Sequence, residues 1–486
     1  MKQGFDNTKY LEEEALAINE RLKKFERLYL EVGGKLIDDF NASRILPGFK
    51  PHNKINILEK LKDKLEVIIC INAKSIEEKR RRDDLGITYD LETIRIIKEL
   101  KKRKIKVNSV VITMYEEQET AQNFRHLLES YKIKSYLTYP TKGYPTDIKT
   151  IVSDEGYGKN DYIKVTKPLI VVTGPGPSSG KLSTCLSQLY FDFKRGINVG
   201  YAKYETFPVW DLSINDPINL SYEAATANIN DKCLIDSFHL EKYGMAATNY
   251  NRDLEVFPIL KEILFEIFKK NIYYSPTDMG INKISTSITS KEIIDNFAKR
   301  EILRRYLISK VNYKLGKEKD IVFKRIKLIM NKLGITENDF LIRNKALILE
   351  KKFQKEIAVL EINEVYIIGK EKKLLTASSA LLLNALKYLA HIPDEMDLLS
   401  SDILKPIIKY KKNKLLEIKE LIIILLVSSA TNPIIKKALE KLPKLNNTYL
   451  HITYILPESE KVALRSLGIN ITSEDKLKPN YFNLEE

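Results

Sequence analysis

The sequence predicts an α/β protein with a doubly wound, mostly parallel sheet, a helical middle region and a smaller C-terminal α/β domain. Two observations predict the sheet. Short apolar runs rich in Val and Ile alternate with segments of helical periodicity through the first 225 residues. One run, Leu169 to Thr173, then leads through a Gly/Pro/Ser loop into an apolar-periodic segment, which is a P-loop-like strand–loop–helix. Ligands of such sheets bind beyond the carboxyl ends of the strands.

The predicted elements of this sheet follow one another along the chain. Several predicted strands are apolar runs, such as VIICI and LIVVT, which are typical of a sheet covered on both faces, and the helices repeat apolar residues every three or four positions. Strands alternating with helices at this spacing indicate βαβ units. In order, the predicted elements are a helix over 8–26, strand Leu28–Val32, helix Ile55–Lys62, strand Leu65–Asn72, helix Leu91–Lys102, strand Val107–Met114, helix Glu117–Ser130, strand Ser135–Tyr139, strand Leu169–Thr173 and strand Ile197–Phe207.

The rest of the chain is predicted in two further parts. Residues 226–345 are mainly helical, with Leu254–Lys270 and Lys291–Asn312 as the clearest helices. From about residue 346 a strand pair, three helical segments and a further strand predict a separate α/β unit. The domain boundaries are therefore 1–225 for the P-loop-like, Rossmann-type domain, 226–345 for the helical region and 346–486 for the C-terminal α/β domain.

Composition narrows the class of protein. The chain has 486 residues, 44% of them hydrophobic, and a formal net charge of +15. The basic residues are mostly Lys and widely spread, without interleaved aromatics, so a nucleic-acid partner is disfavoured. Three distant cysteines predict reduced, buried thiols. No signal peptide and no run of about 20 apolar residues is present, which predicts a cytoplasmic protein without a membrane partner and leaves the oligomeric state open.

The loop after Thr173 carries the candidate site. Its sequence GPGPSSGKLST places small residues where backbone amides can cradle phosphate, and a lysine adds full charge. Relative to the P-loop pattern, Pro175 replaces the first glycine, and Leu182 stands where the metal-binding hydroxyl belongs. The predicted ligand-binding residues are Gly174, Gly176, Ser178, Ser179, Gly180, Lys181, Ser183 and Thr184.

A triphosphate bound there needs a metal partner, so we expect ATP with Mg²⁺ as cofactors. Ser183, or else Thr184, would supply the hydroxyl one or two places late. Glu205, at the end of the next strand, is the predicted acidic Mg²⁺ ligand, with Asp236 as the alternative. Lys181, Lys203 and Glu205 are the predicted catalytic residues. The segment GYAKYETFPVW is similar to the strand end of CTP synthase and dethiobiotin synthetase, an analogy at fold level.

Weaker candidates lie in two other segments. Gly33 and Gly34 follow the first strand and would face the same sheet edge, although a plain turn explains them equally well. The irregular segment 142–165 contributes Lys142 and Asp154, for which a role as turn formers carries similar weight. His239-x-Glu241 lacks the second half of a zinc deaminase motif, and no H-E-x-x-H or C-x-x-C occurs, so no zinc is predicted.

Several long segments resemble one bacterial family, catalogued as domain of unknown function 1846. They include YLEVGGKLIDDFNASRILPGFKP, VVTGPGPSSGKLSTCLSQLY, GYAKYETFPVWDL, NYNRDLEVFP and, near the C-terminus, SSALLLNALK and SSATNPIIKKALE. The resemblance covers essentially the whole chain. It implies that the GPGPxSGK form of the loop is a family feature, with Pro175 and Leu182 included. Some members carry the label of ATP-dependent peptidase, but no residue pattern in this chain supports protease chemistry.

Three functional hypotheses follow from these patterns. The first is an ATP-dependent ligase or phosphotransferase that binds a nucleotide or phosphate-bearing small molecule at residues 174–184. The second is a non-catalytic binding or scaffold protein that uses the same loop. The third is a sugar-phosphate enzyme that uses segment 142–161 and Gly33-Gly34 without a nucleoside triphosphate. Neither the substrate nor the reaction type follows from the sequence.

Overall fold

A computed structural model describes residues 3–82, 85–411 and 414–477. Contacts divide the chain into two compact units, one within residues 2–298 and the other within 299–486. The boundary between these units falls inside the helix Lys291–Lys314. The domain boundaries at residues 225 and 345 stay predictions.

The first unit contains the predicted sheet. Its strands are β1 (Arg27–Val32), β2 (Leu65–Asn72), β3 (Arg81–Arg82), β4 (Ile87–Thr88), β5 (Val107–Thr113), β6 (Lys134–Leu137), β7 (Leu169–Thr173), β8 (Val199–Tyr204), β9 (Cys233–Ile235), β10 (Thr248–Tyr250) and β11 (Gly280–Ile281). Its helices are α1 (Asn7–Leu22), α2 (Phe40–Ile45), α3 (Asn53–Lys60), α4 (Ala73–Glu77), α5 (Tyr89–Lys102), α6 (Glu119–Ser130), α7 (Ile148–Ile151), α8 (Lys181–Lys194), α9 (Pro217–Ala225), α10 (Ser237–Tyr243), α11 (Asn251–Phe268) and α12 (Pro276–Met279).

Seven of these strands form one parallel sheet in the order β11-β8-β1-β7-β2-β5-β6. The predicted fold class is therefore confirmed. The connection from β1 to β2 passes over β7, whereas the connection from β7 to β8 passes over β1 in the opposite direction. Such a reversal opens a crevice at the carboxyl ends of the strands. The crevice lies where β1 and β7 end.

Side chains alternate across the sheet and build one core on each face. Leu28 and Leu30 of β1 belong to the core under α1, α3, α5 and α6. Tyr29 of the same strand belongs to the opposite core, together with Cys185 of α8 and Phe257 of α11. Because both faces are covered, the strands read as continuous apolar runs. Cys70, Cys185 and Cys233 are buried free thiols, in agreement with the prediction.

The structure departs from the predicted elements in shifted ends and in short segments that the sequence did not reveal. Strand β8 spans Val199–Tyr204 rather than Ile197–Phe207, and helix α1 ends at Leu22 rather than at residue 26. The helical region also contains the antiparallel pair β9–β10 and strand β11, which joins the large sheet through Lys203 and Tyr204. The irregular segment 142–165 contains α7 and one 3-10 turn. Segments of two to four residues are too brief for periodicity to reveal.

The second unit is a smaller α/β domain, also as predicted. Its helices are α13 (Lys291–Lys314, which begins before residue 299), α14 (Asp320–Lys332), α15 (Leu341–Phe353), α16 (Ala377–Ala390), α17 (Ser401–Tyr410), α18 (Ile418–Ser428), α19 (Pro433–Leu439) and α20 (Glu458–Ser466). Its strands β12 (Ile357–Ile362), β13 (Val365–Lys370), β14 (Tyr449–Ile452) and β15 (Asn470–Ser473) pair in the order β13-β12-β14-β15. Among the helices of the described residues, none has the length and apolar content that crossing a membrane requires.

Candidate functional site

The loop between β7 and α8 holds its shape through close backbone contacts. Gly180 has a left-handed φ of 81°, and a side-chain carbon on it would lie 2.5 Å from Oγ1 of Thr113. A side-chain carbon on Gly176 would lie 2.3 Å from the hydroxyl oxygen of Tyr89. The Thr113 hydroxyl also donates to the Ser179 carbonyl at 2.9 Å. The glycines therefore let the loop sit directly on the ends of β5 and α5.

We expect Gly180→Ala to destabilise the first unit more than Gly196→Ala does. Both glycines have positive φ, but a carbon on Gly196 would meet nothing within 4 Å. The backbone strain of about 1 kcal/mol is then common to both variants, and the collision with Thr113 adds about 1–3 kcal/mol to Gly180→Ala alone. Urea unfolding followed by the fluorescence of Trp210, the single tryptophan, measures the difference. Equal losses in the two variants would contradict the close packing of the loop.

Helix α8 begins at this loop with its first amides unpaired. Gly180 is the N-cap and has no side chain to accept from them. Within the described chain, the amides of Gly180, Lys181, Leu182 and Ser183 donate to no protein acceptor. The Thr173 hydroxyl, buried at the end of β7, also lacks a hydrogen-bond partner in the described part of the chain. Free amides at a helix N-terminus, with the positive end of the helix dipole, fit an anion such as phosphate.

The side chains on the first turn of α8 differ in what they can contact. Lys181 is half-buried, and no ion pair or hydrogen bond of its ammonium group occurs among the described residues. The Thr184 hydroxyl is buried, donates to the Gly180 carbonyl at 2.9 Å and accepts from the Cys70 thiol at 3.3 Å. Ser183 is partly exposed on the same turn. Of the two hydroxyls that the sequence left open, the geometry favours Ser183 as the one that can reach a ligand.

At the end of β8, Lys203 lies between two carboxylates. Its Nζ is 2.5 Å from Oδ2 of Asp253 and 3.1 Å from Oε2 of Glu205. All three side chains are mostly buried. Burial raises the pKa of Glu205 to about 7, although the ammonium of Lys203 opposes this shift. The pKa of Lys203 lies above its usual range, because its two carboxylate partners outweigh burial. A carboxyl group that titrates near neutral pH is suited to proton transfer.

Glu31 connects this cluster with the loop. It pairs in register with Val172 of β7 on one side and with Lys203 of β8 on the other. Strands lie about 4.8 Å apart, so the loop-bearing strand and the lysine-bearing strand are separated by about 10 Å. The Glu31 carboxylate accepts from the Tyr201 hydroxyl at 2.8 Å. Burial raises the pKa of the Cys70 thiol to about 12, with the charges of Lys181 and Glu31 acting on it in opposite directions.

The Gly33-Gly34 turn lies against the same cluster. A side-chain carbon on Gly33 would lie 2.2 Å from Oε1 of Glu205, so glycine is what lets the carboxylate pack there. Gly34 has a φ of 65°, which a glycine adopts without strain. The buried Lys54 ammonium donates to the Gly33 carbonyl at 2.8 Å and lies 3.3 Å from Oδ2 of Asp39. The structure thus brings Gly33 together with Glu205, as their shared sheet edge suggested.

Three other predicted residues form contacts with neighbouring protein groups. Asp236 is the N-cap of α10 and accepts from the amide of His239 and the hydroxyl of Thr277. Lys142 forms an exposed ion pair with Glu155. Asp154 pairs at 2.6 Å with Lys194, at the last turn of α8 and therefore about 20 Å along the helix from Lys181.

A metal ion at the loop would have few protein ligands. Among the residues that the structure describes, no group of three or more His, Cys, Asp and Glu side chains could hold a metal ion. Mg²⁺ usually keeps several waters and takes only one or two protein ligands besides substrate phosphates. The Mg²⁺ site at Ser183 and Glu205 therefore stays a prediction.

Sequence reasoning missed three charged residues at this edge. Glu31 is an acid inside an otherwise apolar buried strand, which is a usable signal because buried carboxylates are rare without a specific partner. Asp253 lies in the first turn of α11, where an acid also suits the helix dipole, so its sequence position carries no separate signal. Lys54 lies on a short helix whose packing only the fold reveals.

Two family models match this chain. The model described as "Domain of unknown function DUF1846, N-terminal" matches residues 3–334. The model described as "Domain of unknown function DUF1846, C-terminal" matches residues 338–482. Together they cover the loop, the Lys203 cluster and the C-terminal unit.

Bacterial relatives are similar along almost the entire chain. A UPF0371 protein of Fusobacterium nucleatum is 47% identical over 494 residues, covering 98% of each chain. A UPF0371 protein of Clostridioides difficile is 46% identical over 490 residues, again covering 98% of each. One from Clostridium botulinum is 45% identical over 497 residues, covering 99% of this chain and 98% of the relative.

Proposed function

The chain belongs to the DUF1846 family, and we propose that it binds the phosphate group of a small molecule at residues 174–184. The observation that carries this proposal is the uncapped start of α8, where the amides of Gly180 to Ser183 have no acceptor among the residues that the structure describes. Lys181 supplies a full positive charge on the same turn. Together these groups provide the donors that a phosphate monoester or a polyphosphate requires.

We propose further that the bound molecule is a nucleoside triphosphate and that the protein is a ligase or phosphotransferase. Bound ATP with Mg²⁺ would supply the phosphoryl group, with Ser183 and Glu205 as the proposed protein ligands of the metal. Lys181 and the loop amides hold the phosphates. Lys203 pairs with Glu205 at the end of β8, two strands from the loop-bearing β7, where it would offset charge that develops on the transferred group.

Calorimetry tests the binding step. ATP, GTP, pyrophosphate and inorganic phosphate are titrated with Mg²⁺ into the full chain and into Lys181→Ala. Because a charge-assisted hydrogen bond contributes about 1.5–3 kcal/mol, we expect the variant to bind at least ten-fold more weakly. Lys194→Ala is the matched control, since this lysine lies on the same helix at its far end. Unchanged affinity in Lys181→Ala, or no binding of any of these ligands at millimolar concentration, would overturn the phosphate site.

A turnover assay distinguishes the enzyme hypothesis from that of a non-catalytic binding protein. Phosphate release or nucleotide conversion is followed with a panel of carboxylate and amine metabolites. We expect Glu205→Gln to abolish turnover while leaving nucleotide affinity within a few-fold of the unchanged chain. Binding without turnover across the panel would favour the non-catalytic alternative and would leave the phosphate site standing.

A further inference from the structure

The positive charge of the protein is concentrated in the second unit. Residues 299–486 contain 35 Lys and Arg against 23 Asp and Glu, a net charge of +12. The preceding 298 residues contain 45 against 42, a net charge of +3. The basic balance therefore describes one unit rather than the whole chain. Charge concentrated on one unit is typical of a surface that attracts an acidic partner.

Within this unit, α14 and α15 have a clear excess of Lys and Arg over Asp and Glu. Residues 320–355 contain nine Lys and Arg but only four Asp and Glu. Each of the four acids already has a partner: Asp320 pairs with Lys324, Glu337 with Arg343, Glu350 with Lys476, and Asp339 caps the turn at Thr336. No ion pair involves Lys345 or Lys352 in the part of the chain that the structure describes.

The same two helices expose large aliphatic side chains. On α15, Leu341 and Ile348 are 67% and 63% exposed, and Lys345 and Lys352 lie on the same face. The order Leu341, Lys345, Ile348, Lys352 follows steps of four, three and four residues, which places all four along one stripe. On α14, Ile321 and Leu328 are also seven residues apart and exposed. Exposed aliphatic residues with lysines between them give this face of α15 both apolar anchors and positive charge.

We propose that the Leu341–Lys352 stripe of α15 docks an acidic amphipathic helix of another protein. Aliphatic anchors at positions i and i+7 would enter the partner's apolar face, and its Glu or Asp residues would pair with Lys345 and Lys352. A second copy of this chain fits poorly, because a two-fold contact would oppose lysine to lysine. Nucleic acid also fits poorly, since stacking aromatics and arginines are lacking on the stripe.

A designed peptide tests the charge and the apolar requirement together. The probe is a helical three-heptad peptide with Leu at its core positions and Glu at its flanking positions, labelled for fluorescence anisotropy. Its counterpart carries Lys in place of Glu. With the full chain, we expect the Glu peptide to bind at least ten-fold more tightly than the Lys peptide, with affinity falling as salt rises. Lys345→Glu/Lys352→Glu should reverse this preference.

Further variants test whether binding of the peptide depends on the stripe. Lys98→Glu/Lys102→Glu reverses two exposed lysines on α5 of the first unit and should leave binding unchanged. Leu341→Ser/Ile348→Ser removes the anchors without touching the core and should weaken binding at least ten-fold. Single-stranded RNA and vesicles of phosphatidylglycerol are titrated in parallel. Absent binding of the Glu peptide, an unchanged preference in the charge-reversal variant, or tighter binding of RNA or vesicles through the same lysines would each overturn the proposal.

Discussion

Replacing Glu14 with Gln is expected to stabilise the first unit at neutral and alkaline pH and to have little effect in acid. Glu14 lies on α1 with no exposed surface, and its carboxylate accepts from the Lys283 amide at 2.7 Å. Burial raises the pKa of this carboxyl from 4.5 to about 8, against the hydrogen bond from the Lys283 amide and the charges of Lys283 and Lys54. The folded protein therefore keeps a proton that the unfolded chain releases above its ordinary pKa.

The sign of the pH dependence follows from this difference. Between about pH 4.5 and pH 8 the folded state binds more protons than the unfolded state, so the free energy of unfolding falls as pH rises. A shift of this size corresponds to roughly 5 kcal/mol over the window. Glutamine keeps the shape and the acceptor oxygen but has no proton to lose. The variant should therefore lack this decline.

Urea unfolding at about pH 5, 7 and 9 measures the effect, with Trp210 fluorescence reporting on the unit that contains Glu14. We expect the unchanged chain and Glu14→Gln to coincide at the lowest pH and to diverge by several kcal/mol at the highest. Glu12→Gln, an exposed position on the same helix, is the matched control and should follow the unchanged chain throughout. Parallel curves for Glu14→Gln would show that Glu14 is not buried in its neutral form.

Lys203→Met is expected to destabilise the first unit by about 3–5 kcal/mol at neutral pH, because it leaves buried carboxylates without their counter-ion. Lys203 contacts Asp253 at 2.5 Å and Glu205 at 3.1 Å. The negative charge of Glu31 also attracts its ammonium group. Methionine has a similar length, so little packing is lost. Without the ammonium, the pKa of Glu205 should rise further above 7, since Lys203 is the group that lowers it.

The loss in Lys203→Met should shrink as pH falls, because protonation of the carboxyl groups removes their repulsion. The double variant Lys203→Met/Glu205→Gln separates charge from packing, and we expect it to recover part of the lost stability at neutral pH. Trp210 fluorescence during urea unfolding again provides the measurement. A Lys203→Met protein as stable as the unchanged chain at about pH 8 would contradict the role of this ammonium as counter-ion to the cluster.

Long apolar runs made much of the sheet predictable. Strands β2 and β7 have the bounds that the sequence predicts, Leu65–Asn72 and Leu169–Thr173. Each contains a run rich in β-branched residues that is buried on both faces. Strand β11 has only two residues and exists because it pairs with the end of β8. Its prediction would have required knowledge of that neighbour in advance.

The candidate site likewise combines a loop that the sequence predicts with contacts that only the fold creates. The Gly/Ser loop with Lys181 is a local pattern, so the sequence alone indicates it. Asp236 also ends a short apolar run, as an acid at a sheet edge would, but the structure makes it a helix cap. Asp253 lies about 50 residues along the chain from Lys203 and contacts it only because β8 and α11 are neighbours in space.

The α/β class, the strand–loop–helix with its lysine, and membership of the DUF1846 family could therefore be predicted from the residues alone. These depend on periodicity and motif spacing, which are local properties of the chain. The tertiary structure decided which carboxylates surround Lys203, why Gly33 must be small, and that Glu14 is buried. The ion-pair partners and the pKa of a side chain depend on burial and on charges from distant segments of the chain. Only the folded structure brings those segments together.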